Sequence, residues 1–447
     1  MEYIAQLLNP AHASHSYRRA LVGLWVLASD DQRLNQWEQA ENESTIAPFK
    51  AHILSALEQE KPLDTDTLNA HPLALIRALD DYLASIRLPS SQSSSVSQRA
   101  YTFTEADQPY WLVPVTLAGR RSAAMNRQSA RLARWFHHHA VLPGRTVQGI
   151  EVTCTPSRSA LHVCLQALAT QQNGQLKVWV AHFDDGADVV WDRTRSPVGN
   201  WRTQSVEPHP VRQASMLATL YQAAQAGAQV VVFPEFTLDS LHTEQLRAHL
   251  RQSPSSIQMV VAGAFHTEAM TLTEPATFNT APVLSGHGSL LFAHRKLRLF
   301  GNRDDGTEFA QVGNQLHVLV TPIGCMTVLI CKDFLDEDPR VNNLLAEVPV
   351  DWVWVPSYGD DTTLKAHKAR AKKLATVTTG SSCAVAQTQN TALKKDGEVQ
   401  TLLPGFGHAA GDKAARDVPT TGGLIDFALT TQPLPAKRAR QTLKRVK

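Results

Sequence analysis

The sequence has few cysteines, and their spacing excludes two common kinds of site. The 447 residues contain five cysteines. None of them forms a CxxC pair, and they lie far apart at Cys154, Cys164, Cys325, Cys331 and Cys383. Without close pairs, zinc ribbons and dithiol redox motifs are excluded, and an odd number suits a reducing compartment. We therefore expect a cytoplasmic protein without a disulfide framework.

The sequence also lacks an excess of charge of one sign, and it lacks long apolar runs. The 43 basic residues nearly balance the 41 acidic ones, so no strong net field indicates a dedicated nucleic-acid or membrane binder. The run ALVGLWVLA at 20–28 is far shorter than the roughly 20 residues of a membrane span. It also starts too far into a polar segment for an export signal. No membrane partner is expected.

A serine-rich stretch divides the chain. Residues 88–99, which begin LPSSQSSSVSQ, are predicted to form a linker because they offer nothing to pack. Residues 1–87 are predicted to form a helical N-terminal domain, with apolar positions at helical spacing. The predicted helices cover 16–29, 45–60 and 70–87.

Two basic segments leave nucleic-acid binding open. Residues 100–173 form a predicted mixed α/β connecting region, with a basic helix at about 121–136. The tail, 431–447, has six basic residues in its last eleven and is predicted to be disordered. A solvated helix face and a solvated tail are the ordinary interpretations. Binding to RNA, DNA or an acidic partner is the alternative.

No metal or cofactor is expected. The triplet His137-His138-His139 is predicted to lie at a helix end. Adjacent helical side chains point about 100° apart, so three in a row cannot converge on one ion.

The pattern changes from about residue 174, where short apolar runs alternate with helical or loop segments. Such runs are typical of strands buried on both faces, which predicts an α/β domain. A helix is predicted at about 210–226, ending at Gly227. The insert at 184–209 is longer than a tight connection needs. A lid over a cleft and an inert surface loop both remain open.

Three polar residues each follow a predicted strand. They are Glu235 in VVVFPEF, Lys296 in HRKLRLF and Cys331 in VLICKDF. Each also has a plain structural interpretation: a capping glutamate, a solvated basic loop and a packing cysteine. Catalytic groups of an α/β protein often come from the ends of different strands, so the three together predict a shared site. Cys325, on the same side of a continued strand as Cys331, is predicted to pack.

The ordered set resembles the nitrilase superfamily of carbon–nitrogen hydrolases over about residues 174–430. The segment GTEFAQVGNQLHVLVTPIGCMTVLIC matches the family pattern and places its second glutamate at Glu308. The resemblance implies an α-β-β-α sandwich and the catalytic set Glu235, Lys296, Cys331 and Glu308. It also implies a homo-oligomer.

The implied chemistry is hydrolysis of a non-peptide carbon–nitrogen bond. A free thiol is only a few per cent thiolate at neutral pH, so Cys331 needs a base, which Glu235 supplies. Lys296 stabilises the charge that develops on the substrate. By family analogy, Glu308 holds Lys296 or the water. Asp333 is predicted to be a structural carboxylate that accepts backbone N–H groups.

Two departures from the family pattern concern the substrate. Lys332 follows the cysteine where the family usually has an aromatic residue. Arg370-Ala371 is followed by lysines rather than by the family's glutamate and asparagine. An acidic or phosphorylated substrate would suit the added cations.

Two classes of function follow. The first is a hydrolase that cleaves a small-molecule amide, in preference to a nitrile, through a cysteine thioester. The second is a nitrilase-like recognition or assembly module, nucleic-acid- or defence-linked, in which the N-terminal region and the tail bind a partner.

Overall fold

The computed structural model describes most of the chain between residues 2 and 429. The described residues are 2–8, 13–63, 65–85, 101–114, 135–136, 138–144, 146–147, 149–157, 159–171, 174–183, 189–192, 200–271, 274–302, 306–335, 341, 344–345, 348, 350–375, 381–389, 405–410, 412–419 and 422–429. The predicted linker, the predicted tail and nearly all of the predicted basic helix lie outside them.

The described residues form ten helices and 22 strands. The helices are α1 Glu2–Leu7, α2 Ala13–Ala28, α3 Asp31–Ala40, α4 Glu43–Glu58, α5 Thr65–Ala70, α6 Pro72–Ser85, α7 Ser159–Thr170, α8 His209–Gln225, α9 Ser240–Gln252 and α10 Asp361–Lys373. The strands are β1 Tyr101–Glu105, β2 Gln108–Pro114, β3 His139–Pro143, β4 Thr146–Val147, β5 Ile150–Pro156, β6 Gln175–Val180, β7 Val189–Asp192, β8 Asn200–Val206, β9 Val230–Val232, β10 Met259–Val261, β11 Phe265–Met270, β12 Pro275–Ser285, β13 Leu290–Arg295, β14 Gly301–Asn302, β15 Gly306–Glu308, β16 Gln315–Thr321, β17 Gly324–Val328, β18 Trp352–Gly359, β19 Ser382–Gln389, β20 Gly405–His408, β21 Arg416–Asp417 and β22 Gly423–Ala428.

Six helices make up the N-terminal unit, and the apolar spacing predicts three of them, at 16–29, 45–60 and 70–87. Asp30 caps α3 through the amides of the first turn. Asn42 begins α4 with a reciprocal capping box, so both helices start where side chains satisfy the free N–H groups. Their apolar faces share one buried core, in which Leu24, Leu75 and Leu79 are fully buried.

A three-stranded sheet of β1, β2 and β3 packs onto these helices. Within it, Nδ1 of His139 lies 2.8 Å from Oδ1 of Asp80 in α6, and both side chains are 1% exposed. The amide of His138 donates to the other oxygen of Asp80. For His139 the prediction of a helix end is therefore wrong, because β3 begins at this residue and Asp80 binds the chain there. His137 and residues 115–134 lie outside the described residues.

Two larger sheets face each other. One has eight strands in the order β21-β20-β19-β18-β17-β16-β5-β4. The other has seven, in the order β11-β12-β10-β9-β6-β22, with β13 paired to β12. Parallel pairs such as β6-β9 and β17-β18 lie at the centres of the sheets, which explains their continuous apolar runs. The eight-stranded sheet includes β4 and β5, which precede residue 174.

Three apolar layers make this part an α-β-β-α sandwich. The layer between the sheets contains Trp352 and Trp354, stacked 5.9 Å apart, and the β6 and β9 side chains. Helices α8 and α9 cover the outer face of the seven-stranded sheet. Helix α10 and strands β2 and β3 cover the eight-stranded sheet. The predicted fold class is thereby confirmed.

The insert contributes a small fourth sheet. Its strands β7 and β8 join β15 and β14 in the order β14-β15-β8-β7. Glu308 of β15 is the register partner of Trp201 in β8. The described part of the insert is therefore paired to the strand that carries a predicted site residue.

No described helix combines the length and the hydropathy needed to cross a bilayer.

Candidate active site

The four predicted site residues lie at strand ends. Glu235 follows β9, Lys296 directly follows β13, and Glu308 is the last residue of β15. Cys331 opens a short 3-10 helix, Cys331–Asp333, after β17. Strands β9 and β13 belong to one large sheet and β17 to the other, so the site forms where the ends of the two sheets meet.

The structure joins three of the four in one buried ionic cluster. Nζ of Lys296 donates to Oε1 of Glu235 at 2.8 Å and to Oε2 of Glu308 at 2.9 Å. All three side chains are at most 1% exposed. Because water is excluded, each charge acts on its neighbours with little screening.

The two carboxylates have different electrostatic environments. Burial raises the pKa of Glu235, and the nearby Glu308 charge adds to that rise, although Lys296 opposes it. Burial also acts on Glu308, but Lys296, His266 and the Phe300 amide together lower its pKa to about 2. Two carboxyl groups whose pKa values are pushed apart can take different roles. Glu308 can remain an anion while Glu235 exchanges a proton.

Two buried polar residues that the sequence analysis missed hold these carboxylates. Nδ2 of Asn279 donates to Oε1 of Glu235 at 2.8 Å and to Oε1 of Glu308 at 2.7 Å. Nε2 of His266 lies 3.1 Å from the same oxygen of Glu308. Both residues interrupt apolar stretches, in AGAFHT and TFNTAP. A polar side chain inside a buried strand is the signal that could have found them.

The lysine stays charged despite its burial. Burial by itself favours the neutral amine, but the charges of Glu235 and Glu308 outweigh it and raise the pKa of Lys296. The Cys331 side chain also raises the pKa of Lys296. The ammonium is therefore a fixed positive charge beside the sulfur.

Cys331 adjoins this cluster. Its Sγ lies 3.5 Å from the carbonyl oxygen of Tyr358, and Oγ of Ser357 donates to it at 3.5 Å. Burial raises the pKa of the thiol to about 12, and the charge of Glu235 adds to the rise, while Lys296 lowers it. The resting group is thus a thiol, which needs a proton acceptor to act as a nucleophile.

The backbone of Tyr358 contacts both the sulfur and the carboxylate. Its N–H donates to Oε2 of Glu235 at 3.1 Å, and its C=O accepts from the thiol of Cys331. The same strand thus contacts both groups. Cys331 also has a positive φ of 43°, a backbone conformation that costs energy for a non-glycine residue and often marks functional sites.

Asp333 hydrogen-bonds both to the backbone just before Cys331 and to the backbone just after Lys296. Its Oδ1 accepts from the amides of Leu297 and Arg298 at 2.9 and 2.7 Å. Its Oδ2 accepts from the amide of Ile330 at 3.2 Å. The prediction of a structural carboxylate is confirmed, and its partners place residues on both sides of the site in a fixed relation.

Aromatic side chains from the insert and the sheets border the cluster. Trp191 of β7 packs edge-on to Phe236 and to Tyr358, with ring centroids 5.6 and 5.8 Å apart. Nζ of Lys332 lies over the ring of Phe300 at 5.6 Å from its centroid. The residue that replaces the family's usual aromatic thus contacts an aromatic ring itself.

One described group of side chains has the composition of a metal site. Nε2 of His209 and Nδ1 of His242 lie 3.2 and 2.7 Å from the carboxylate of Asp239. Asp239 also caps α9 and accepts from the amides of Val206 and His242. Because these hydrogen bonds already occupy the carboxylate, the geometry is that of a capped helix start.

The fold is that of the nitrilase type, an α-β-β-α sandwich with a carboxylate, a lysine and a cysteine at the sheet ends. Residues 161–344 match the carbon-nitrogen hydrolase family model. Residues 161–344 thus resemble that family, within the nitrilase superfamily, as a hydrolase domain of that type.

Solved structures that match part of the chain include two enzymes. An amidase from Nesterenkonia sp. is 17% identical, with 59% of this chain and 93% of that chain covered and a TM-score of 0.39. A glutamine-dependent NAD+ synthetase from Acinetobacter baumannii is 16% identical, with 57% and 45% covered and a TM-score of 0.41. No curated protein matches the sequence.

Proposed function

We propose that the chain hydrolyses the carbon–nitrogen bond of a small-molecule amide through a thioester on Cys331. The proposal is supported by one arrangement of contacts. The backbone of Tyr358 contacts both Cys331 and Glu235, and the Lys296 ammonium donates a hydrogen bond to Glu235. A nucleophile, a base and a cation are the three groups that such a reaction needs.

The first step is attack on the amide carbon. Glu235, with its raised pKa, accepts the thiol proton of Cys331 as the sulfur bonds to the carbon. Negative charge develops on the substrate oxygen. The Lys296 ammonium stabilises it, a contribution of about 3–4 kcal/mol for a well-placed donor. The protonated Glu235 then gives its proton to the leaving amine as the carbon–nitrogen bond breaks.

The second step releases the acid. Water attacks the thioester carbon while Glu235 accepts a proton from that water, and the thiolate leaves and is reprotonated by Glu235. Glu308 takes no proton in either step, because its pKa of about 2 keeps it ionised. Its role is to hold Lys296 charged and in place.

Cysteine labelling tests the activation of Cys331. Folded protein is treated with sub-stoichiometric iodoacetamide near neutral pH, and the labelled peptide is identified by mass spectrometry. Among the five cysteines Cys164 is partly exposed and the other four are buried. Access alone would therefore favour Cys164. Preferential labelling of Cys331, lost in Glu235→Gln, supports the proposal, whereas labelling of Cys164 first contradicts it.

Substrate screening tests the reaction class. Ammonia or amine release is measured over a panel of amides and the matching nitriles, with Cys331→Ala as the blank. We expect turnover of amides above that of nitriles. Turnover of nitriles alone would replace the amide by a nitrile as substrate, and release that persists in Cys331→Ala would contradict the thioester mechanism.

A further inference from the structure

The buried imidazole of His266 lies between the insert and the ionic cluster. Its side chain is fully buried. On one side, Nδ1 lies 2.9 Å from the backbone nitrogen of Thr203 in β8 and 2.8 Å from the Thr203 hydroxyl. On the other, Nε2 lies 3.1 Å from Oε1 of Glu308. The ring thus bridges a strand of the insert and a carboxylate of the site.

These contacts define which ring nitrogen carries the proton. A backbone N–H can only donate, so Nδ1 must present its lone pair to Thr203. The hydrogen of a neutral ring is then on Nε2, which donates to the carboxylate of Glu308. A ring protonated at both nitrogens would leave the Thr203 amide without an acceptor in a buried place, which is costly.

The donated hydrogen bond acts on the ionic state of Glu308. Together with Lys296, Asn279 and the amide of Phe300, it stabilises the carboxylate anion. A firmly ionised Glu308 keeps Lys296 charged and leaves Glu235 as the group that exchanges protons. Without the imidazole donor, Glu308 binds a proton more readily and competes with Glu235 for the proton of the thiol. A protonated Glu308 no longer forms an ion pair with Lys296.

We propose that His266 is a positioning residue of the site, held by strand β8 as the neutral Nε2–H tautomer, and that this strand of the insert is therefore a required part of the catalytic apparatus. The inference rests on the proposed function for its kinetic consequence. In this proposal the role of the insert is to fix the tautomer of His266 through Thr203, which differs from the role of a lid and from that of an inert surface loop.

Two substitutions of His266 separate hydrogen bonding from packing. His266→Gln keeps an N–H donor near the position of Nε2, whereas His266→Leu fills similar space without a donor. His317 is a matched control, because it is a partly buried histidine that stacks on Phe292 and is not a hydrogen-bond partner of Glu308. Each variant is checked for its thermal midpoint.

We expect His266→Leu to lower kcat and the rate of Cys331 alkylation by about 10- to 100-fold, the range for a lost hydrogen bond to a charged group. KM should change much less than kcat, since the residue does not touch substrate. His266→Gln should recover most of the loss, and His317→Leu should match the wild type. A His266→Leu variant with wild-type alkylation, or a His266→Gln variant as impaired as His266→Leu, would overturn the proposal.

A spectroscopic measurement is independent of turnover and of the stability of the variants. Imidazole nitrogen NMR of histidine-labelled protein, with His266 assigned by its loss in His266→Gln, should show an unprotonated Nδ1 and a protonated Nε2. Thr203→Val should keep this pattern, because the backbone N–H remains. A protonated Nδ1 would refute the proposal even if amides are hydrolysed. Conversely, absence of amide turnover would reject the proposed function and leave the tautomer result standing.

Discussion

Nζ of Lys296 lies 2.8 Å from Oε1 of Glu235, in a place where neither side chain is more than 1% exposed. The pair is bound on its far side by Glu308. Solvent screens buried charges only weakly, so removing the charge of one group changes the electrostatic energy of the others. Substitutions at the cluster are therefore expected to change catalysis, pKa values and stability together.

Lys296→Met should abolish turnover and make stability depend on pH. Loss of the ammonium leaves the carboxylates of Glu235 and Glu308 facing each other, which raises their pKa values in the folded state above those of the unfolded chain. The variant then binds a proton on folding, so its stability is retained at about pH 5 and falls as the pH rises toward about 8. Urea unfolding of wild type and variant across that range is the measurement. A constant difference between them would contradict the ionic assignment.

Glu308→Gln should shift the acid limb of the rate profile to lower pH. In the proposed mechanism the base is the carboxylate of Glu235, so kcat/KM should rise with pH as this group ionises, with a midpoint above its ordinary value of 4.5. The negative charge of Glu308 contributes to that raised pKa. Removing the charge lowers the midpoint while the maximal rate also falls. A midpoint that stays the same or moves upward would contradict the assignment of the Glu308 charge as a cause of the raised pKa of Glu235.

Cys331→Ser should separate chemistry from folding. The hydroxyl is smaller and far less acidic than a thiol, so turnover should fall by at least about 10³-fold. The fold should persist, with a thermal midpoint within about 3 °C of the wild type. Cys383→Ser is the matched control, because Cys383 is a buried cysteine of β19. Its activity should be unchanged.

Asp80→Asn should destabilise the N-terminal unit without affecting the chemistry. The substitution replaces one of the two carboxylate oxygens that face the His139 ring and the His138 amide by an NH2 group. Leaving a buried donor without its acceptor costs about 1–3 kcal/mol. Lys50→Met, which breaks the partly exposed pair of Lys50 with Asp81, should cost about 1 kcal/mol or less. Denaturant titration followed by far-UV circular dichroism measures both. Equal costs would argue against a stabilising role of the buried hydrogen bonds to Asp80.

Much of the fold could be predicted because local patterns dominate it. The apolar spacing of residues 45–60 predicts the helix found at Glu43–Glu58, and the proline at the start of 210–226 agrees with the helix at His209–Gln225. The run at 230–232 is buried throughout. In each case a short stretch contains all the information that its element needs.

Two local arguments fail where the chain changes direction. Cys325 and Cys331 are six residues apart and would share one face of a continued strand. Strand β17 ends at Val328, however, so Cys325 packs in the core below α10 while Cys331 borders the layer between the sheets. The histidine triplet fails for a similar reason. Asp80, more than fifty residues earlier, binds it at the start of a strand.

The sequence by itself determined the strand and helix periods and the chemical types of the candidate site residues, because both are properties of short stretches. Only the tertiary structure decided that the pKa of Glu308 is lowered while that of Glu235 is raised. That difference comes from hydrogen-bond donors that contact Glu308 and not Glu235, namely His266 and the Phe300 amide. It also decided that the insert pairs with the strand of Glu308, since hydrogen bonding between strands depends on contacts that no local pattern specifies.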